Sequence, residues 1–435
     1  MKYLTSLEAA AILGRTKRYI NSLCNDYKMP GAYKQGNRWM IPEESVYEKV
    51  GNKVGRGENR SFNTTGACSP KEHYMVNLDQ RLVQVKKLVD DGKYFTINRA
   101  RQFGKTTTLQ ALYDYLNHDY FVISMDFQMQ MSDAKFKNEN SFSKAFSKAF
   151  TNSFRVNPES KKKVNLDAIT EFQETCKEDG DHFELVELFQ AISILCNKVS
   201  KPMVLMIDEV DSATNNQVFL DFLAQLRGYY INRNRFAAFQ TVILAGVYDI
   251  KNLKRKMRPE DEHKDNSPWN IAADFDIDMS FSVIQIAAML TDYEADHKTG
   301  MNITDIAQEI YDYTDGYPYL VSKLCQILEK MDFGAMGHTA WSHEGFLDAV
   351  NILVNETNAL FDDIAKKLKD YPALENMLQE ILFCGKSIPF NLAAELVSIG
   401  FMFGFLKNEE GQVAVANRIF EIWLYNLFIA EESSS

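Results

Sequence analysis

Cysteine pairs, clustered histidines, long apolar runs and a leader-like start are all missing from this sequence. The six cysteines (Cys24, Cys68, Cys176, Cys196, Cys325, Cys384) lie far apart with no CxxC pair. That argues against a zinc site or a disulfide framework and fits a reducing cytoplasm. The seven histidines form no ligand or triad pattern, and no GxSxG motif occurs, so serine-hydrolase chemistry has no support. The start lacks an apolar core and a small-residue cleavage site, and nowhere do about 18 apolar residues run together without a charge. Neither secretion nor membrane spanning is expected, and a cytoplasmic location is. No internal repeat is found, and no low-complexity tract beyond Ser433 to Ser435.

What is present is an ordinary soluble composition, 46% hydrophobic and 25% charged over 435 residues, long enough for about three domains. The net charge of −11 hides an asymmetry: residues 1–60 carry 11 Lys and Arg against 6 Asp and Glu. A basic head precedes an acidic body. Between them, residues 51–71, rich in Gly, Asn, Ser and Thr, read as a linker.

The body alternates apolar runs (Tyr94 to Ile97, Phe121 to Met125, Met203 to Ile207, Thr241 to Ala245) with amphipathic helical stretches. This is the pattern of an α/β fold whose parallel sheet is covered by helices. Beyond about Phe281 the strand-like runs stop, and helical periodicity continues to Lys330, interrupted at Gly316 to Pro318. An all-helical lid over 281–340 is expected there. In residues 341–435, several helices precede two short apolar runs around a polar Gly-containing turn, which suggests a winged-helix-like C-terminal domain.

The chemistry-bearing segment is KYFTINRARQFGKTTTLQAL, in which Gly104, Lys105 and Thr106 fall where a strand ends and a helix begins. Backbone N–H groups at a helix N-terminus point at an anion, a lysine there reaches β/γ phosphates, and a threonine hydroxyl ligates Mg²⁺. The pattern GxxxxGK(S/T) is incomplete, because Arg99 occupies the place of its first glycine. About a hundred residues later, KPMVLMIDEVDS puts Asp208 and Glu209 at the C-terminal end of an apolar strand, where open α/β sheets place their ligands. In a P-loop NTPase the first acid holds Mg²⁺ and the second activates the attacking water. Taken singly, either element is compatible with a surface turn. Their order and spacing together favour a nucleotide site.

INRARQFGKTTTLQAL, VLMIDEVDSATNN, FLAQLRGYYINRNR, TVILAGVYDIKNL, SPWNIAADFDI and TDGYPYLVSKLCQIL resemble successive motifs of AAA-like P-loop ATPases allied to the STAND class, over about residues 72–330. Members of that group also carry an Arg-Gln-x-Gly-Lys-Ser/Thr loop without the first glycine. The resemblance implies a P-loop core at 72–280, a helical lid, a winged helix after it, and ATP with Mg²⁺ as cofactors. Carried over, Gln102, Phe103, Gly104, Lys105, Thr106, Thr107 and Pro318 would line the nucleotide. Thr106 and Asp208 would hold the metal, and Lys105 and Glu209 would be catalytic. Arg227, Arg233 and Arg235 are candidates for an arginine finger or for solvated helix-face positions. The run Lys251 to Asp265, basic then acidic, reads as an exposed loop.

In the head, Thr5 and Glu8 stand at capping-box spacing at the start of a helix whose apolar face is Leu7, Ala10, Ala11 and Ile12. Gly14 then breaks the helix, and a basic second helix follows with Tyr19, Ile20 and Leu23 apolar. Helix, glycine turn and basic helix make a helix-turn-helix, and YKQGNRWMIP offers a small wing with Arg38 at its base and Trp39 inward. Residues 1–50 resemble the excisionase-like, MerR-type winged helix-turn-helix. That resemblance implies double-stranded DNA binding through Lys17, Arg18, Asn21 and Arg38; a protein-docking head is the alternative. The overall expectation is a DNA-associated switch ATPase, with a nucleotide-liganded regulator of negligible turnover, or a sensor in a defence or mobile-element system, as alternatives. Self-association and a protein partner at the C-terminal domain are further expectations.

Overall fold

The computed structural model describes residues 3–6, 9, 17, 20–21, 24, 32–36, 38–42, 60–156, 166–178, 180–247, 269–332 and 340–433. They divide into two units, Met1–Phe62 with Cys68–Met75, and Asn63–Ala67 with Val76–Ser435.

In the first unit, β1 (Tyr3–Thr5) and β2 (Tyr33–Gln35) both pair antiparallel with β3 (Arg38–Pro42), giving the order β1-β3-β2. The β2–β3 hairpin stands where the wing was expected, with Lys34 facing Trp39 across it at 5.1 Å from the ring centroid. The third strand, β1, has no signal in the sequence beyond its three residues. Ser6, Ala9, Lys17, Ile20, Asn21 and Cys24 are helical. Leu4, Ala9, Ile20, Cys24 and Ile41 form a small core against which Trp39 is half-buried. Glu8, Gly14 and Arg18 lie outside the described residues. Near the end of the expected linker, Ser61 bridges His73 and the rings of Phe62 and Tyr74 lie 5.2 Å apart.

The second unit opens with α1 (Asp79–Asp90) and is built on a sheet of four parallel strands in the order β4-β7-β6-β5. These are β4 (Phe95–Asn98), β5 (Phe121–Asp126), β6 (Met203–Asp208) and β7 (Thr241–Gly246). Every residue of β6 and β7 is buried, as their unbroken apolar runs require of strands covered on both faces. The helices of this layer are α2 (Lys105–Leu116), the short α3 (Phe127–Gln130), α4 (Glu139–Val156), α5 (Leu166–Glu178), α6 (Leu185–Lys198) and α7 (Gln217–Ile231). In α4 the spacing of Phe142, Phe146 and Phe150 puts three rings on one face. They stack on each other and on Phe222 of α7, continuing through Phe154 to Phe121 of β5. Each such burial is worth roughly 1.5–3 kcal/mol, so this aromatic row is a principal tie between helix layer and sheet.

β4, first of these strands in the chain, lies between β7 and an isolated parallel bridge from Phe95 to Ala273. The chain therefore leaves β4 in one direction and returns past its other side. Such a switch point opens a crevice at the C-terminal strand ends. The run Lys251 to Asp265 lies outside the described residues.

Helices α8 (Val283–His297), α9 (Ile303–Thr314) and α10 (Pro318–Asp332) follow the sheet. A capping box of Ser282 and Gln285 starts α8, and Pro318 occupies the first turn of α10, where its missing N–H costs nothing. Next come α11 (His343–Asn355), α12 (Ala359–Asp370), α13 (Pro372–Cys384) and α14 (Glu395–Met402). The hairpin β8 (Leu406–Glu409) and β9 (Gln412–Val415) precedes the last helix, α15 (Arg418–Glu432). Pro389 bridges Gln412 beside this hairpin. No helix among the described residues is long and apolar enough to cross a membrane.

Candidate functional site

The loop from Asn98 to Lys105 joins β4 to α2 at the crevice. Gly104, in the left-handed region, is the N-cap of α2, so the first N–H groups of that helix have no capping side chain and face outward as anion donors. Gln102 is left-handed too, at φ 57°, an uncommon backbone for a residue with a Cβ.

Lys105 is buried. Its ammonium donates to the backbone oxygens of Arg99 at 2.8 Å and Ala100 at 2.9 Å. Burial pulls its pKa down, while Asp211, Glu209 and Asp208 pull it back up. Arg99 explains how the loop manages without its first glycine. The guanidinium turns away from the crevice and donates to the oxygens of Asn98, Phe275 and Ile277, with the Phe275 ring 5.4 Å away.

The Thr106 hydroxyl donates to Asp208 Oδ2 at 2.8 Å. Residues 102 apart in the chain are thus brought side by side by the adjacency of α2 to β6. Asp208 is buried, and burial raises its pKa, opposed by the Thr106 hydrogen bond and the Glu209 N–H. Asp126, at the tip of β5, is in register with Asp208 and raises it further. Glu209 is half-buried and left-handed at φ 54°. Burial first, then the charge of Asp208, raises its pKa as well. A hard divalent cation suits this donor set: Mg²⁺ binds through one or two protein oxygens and completes its shell with water and phosphate. Among the described residues no group of three or more His, Cys, Asp or Glu could hold a metal by itself, so such an ion would need phosphate oxygens.

Pro318 sits against the loop, its Cβ 4.0 Å from where a Cβ on Gly104 would be. Phe103 packs edge-on to Tyr317, centroids 4.8 Å apart. Thr107 is half-buried in the first turn of α2. The arginines are elsewhere: Arg233 donates to Gly92 O at 3.0 Å, at the end of the sheet opposite the phosphate loop, and Arg235 is exposed beyond α7. Arg227 is half-buried within α7.

Sequence reasoning missed three groups at this crevice. Asp211 accepts from the Val247 N–H at 2.6 Å, tying the turn after β6 to the end of β7. Arg101 of the loop pairs with Asp363 of α12 at 3.6 Å. Lys367, one helical turn beyond Asp363, lies in the field of Asp363, Arg101, Asp370 and Asp211. Asp211 stood in the quoted motif IDEVDS. Arg101 stood in the quoted loop RQFGKT, but its pairing with Asp363 and the place of Lys367 had no local signal, since only the tertiary fold brings α12 to the loop. In the head, Lys17 and Arg38 are exposed and Asn21 is half-buried.

Residues 70–426 match the model of a family described as AAA-like domain. Among solved structures, the Walker-type ATPase of Pyrococcus abyssi is similar in fold. It shares 12% identity over 84% of this chain and 99% of its own, with a TM-score of 0.54. The ORC2 protein of Aeropyrum pernix, in ADPNP–ADP complexes, shares 10% identity over 82% of this chain and 93% of its own, with a TM-score of 0.44. No curated protein sequence matches the chain.

Proposed function

The chain belongs to the AAA-like domain family, and from that premise we propose that it binds ATP with Mg²⁺ at residues 99–107 and hydrolyses it as a STAND-like switch. The observation that carries this reading is the Thr106–Asp208 hydrogen bond beside the buried Lys105 ammonium. A hydroxyl and a carboxylate at that separation are a ready pair of hard oxygen ligands, and the ammonium is held for an anion. Thr106 and Asp208 would hold Mg²⁺, which would supply positive charge to offset that of the phosphates. Helix α2 would present its N–H groups and Lys105 to the phosphates, Pro318 and Phe103 would wall the nucleotide, and Glu209 would take the proton of the attacking water. Its raised pKa suits a base working nearer neutrality than an ordinary carboxylate.

The head delivers this switch to duplex DNA, in the same reading, with Lys17, Arg18, Asn21 and Arg38 toward the nucleic acid. The exposed positions of Lys17 and Arg38 and the hairpin at 33–42 support this. The C-terminal region reads as a winged helix from the succession α13, α14, β8, β9 and α15, and as the element that transmits nucleotide state or binds a partner. ATP-dependent self-association completes the proposal.

Steady-state ATP hydrolysis by the full chain, with and without duplex DNA, tests it. Turnover above that of Lys105→Ala supports an ATPase. Tight ATP binding with turnover equal to Lys105→Ala would instead leave a nucleotide-liganded regulator.

A further inference from the structure

Arg99 stands where the pattern GxxxxGK(S/T) has its first glycine, and an arginine in a phosphate loop invites reading as a phosphate ligand. Its hydrogen bonds assign it differently. The main-chain N–H donates to Gly246 O at 3.2 Å, extending the pairing of β4 with β7 by one residue. The guanidinium donates to Asn98 O at 2.8 Å, to Phe275 O at 3.3 Å and to Ile277 O at 2.9 Å, with its centre 5.4 Å from the centroid of the Phe275 ring. Burial pulls its pKa down, and Asp278 and Asp276 pull it back up. Carbonyl oxygens hold the side chain, and those of Phe275 and Ile277 belong to the segment that runs beside β4 and leads into α8.

The main-chain oxygen of Arg99 accepts from the Lys105 ammonium at 2.8 Å, beside Ala100 O at 2.9 Å. Residue 99 is therefore bound on both sides, outward through its side chain to a neighbouring segment and inward through its carbonyl to the lysine. A buried ammonium depends on its hydrogen-bond acceptors, so its place is only as well defined as theirs. The backbone at 99 does not call for a glycine, since the loop residues of positive φ are Gln102 and Gly104. A glycine at 99 would remove the anchor and loosen the chain in the same step.

We infer that Arg99 is a positioning residue for Lys105: its side chain, tied to Phe275 and Ile277, fixes the carbonyl that holds the ammonium ready for phosphate. This rests on the phosphate-loop reading above and adds to it the residue that serves this loop in place of the first glycine. Arg99→Gly, which completes GxxxxGK(S/T), therefore weakens nucleotide binding instead of improving it.

The test joins amine-reactive labelling of the nucleotide-free full chain, read at each lysine by mass spectrometry, to equilibrium binding of ADP with Mg²⁺. Wild type, Arg99→Gly, Arg99→Gln, Arg99→Lys and Lys105→Ala are compared. In Arg99→Gly and Arg99→Gln, labelling of Lys105 relative to the exposed Lys93 should rise about tenfold and ADP affinity should fall by a similar factor, the scale of one charge-assisted hydrogen bond. Lysine keeps a cation for the Phe275 and Ile277 oxygens, so Arg99→Lys should restore most of both. A merely structural role would lower the unfolding temperature and leave Lys105 labelling as it is in wild type. Unchanged Lys105 labelling, or ADP bound by Arg99→Gly as tightly as by wild type, overturns the assignment while leaving the loop as the nucleotide site. Wild type that does not bind ADP, or Lys105→Ala that binds it as tightly as wild type, overturns the loop reading and this inference with it. Thermal unfolding establishes that each variant is folded, and Arg99→Gln carries the test if Arg99→Gly is not.

Discussion

The Tyr317 hydroxyl donates a 2.5 Å hydrogen bond to the backbone oxygen of Arg101, fastening the residue before α10 to the middle of the phosphate loop. Tyr317 is buried and its pKa is pushed up by that burial, so the proton stays in place at physiological pH. The loop and the start of α10 are joined by this hydrogen bond.

Tyr317→Phe keeps the ring packing on Phe103 and Phe420 and removes only the donor. The part-buried Arg101 carbonyl then loses its partner, at a cost of about 1 kcal/mol. Urea unfolding should show a lower midpoint with an unchanged slope, and nucleotide affinity should fall because the loop is less well held. An unaltered midpoint would mean that this hydrogen bond contributes nothing net.

Gly316 holds the turn into α10 at φ 70°, and a Cβ there would lie 2.1 Å from the backbone oxygen of Phe281. That oxygen belongs to the segment whose N–H donates to Gly316 O at 2.8 Å, so no flexible side chain can yield. Gly316→Ala combines a disfavoured dihedral with a backbone collision. It should lower stability by more than about 2 kcal/mol, well beyond a surface substitution. Thermal unfolding is the measurement, and a loss below about 0.5 kcal/mol would show that the turn can relax.

These contacts also show what a single chain makes legible. The runs Tyr94 to Ile97, Phe121 to Met125, Met203 to Ile207 and Thr241 to Ala245 coincide with β4 to β7 within a residue at each end. Unbroken apolarity in short segments leaves little else for them to be. Lys105, Thr106, Asp208 and Glu209 were readable because each stands at a strand or helix end, where spacing along the chain carries the geometry. Arg101–Asp363 and Tyr317–Arg101 join residues more than two hundred positions apart and follow no periodicity. Lys105 shows the opposite limit: its position was legible, its burial was not.

Glu209→Gln should bind ATP about as well as wild type and turn it over 10²–10⁴-fold more slowly, the usual range for removing a general base. The amide preserves shape and the left-handed backbone while removing the basic oxygen. Radiolabelled phosphate release alongside equilibrium binding separates the two effects. Turnover equal to wild type would remove Glu209 as the base and direct attention to Asp211 beside it.

Asp208 gives a signed pH dependence. Burial raises its folded pKa above the unfolded value near 3.8, so between the two values the folded state holds more protons than the unfolded one. Stability contributed by this group therefore falls as pH rises through that window. The buried carboxylate is then charged, with only Thr106, the Glu209 N–H and Lys105 to offset its lost solvation. Asp208→Asn keeps an acceptor for the Thr106 hydroxyl at similar volume and removes the charge. Comparing urea midpoints of wild type and variant across pH 4 to 8 cancels the titrations they share. The variant should gain on wild type as pH rises and hold that advantage at neutrality, while losing Mg²⁺-dependent nucleotide binding. A stability difference independent of pH would mean that Asp208 titrates as in the unfolded chain, and that Thr106 and Lys105 offset its burial in full.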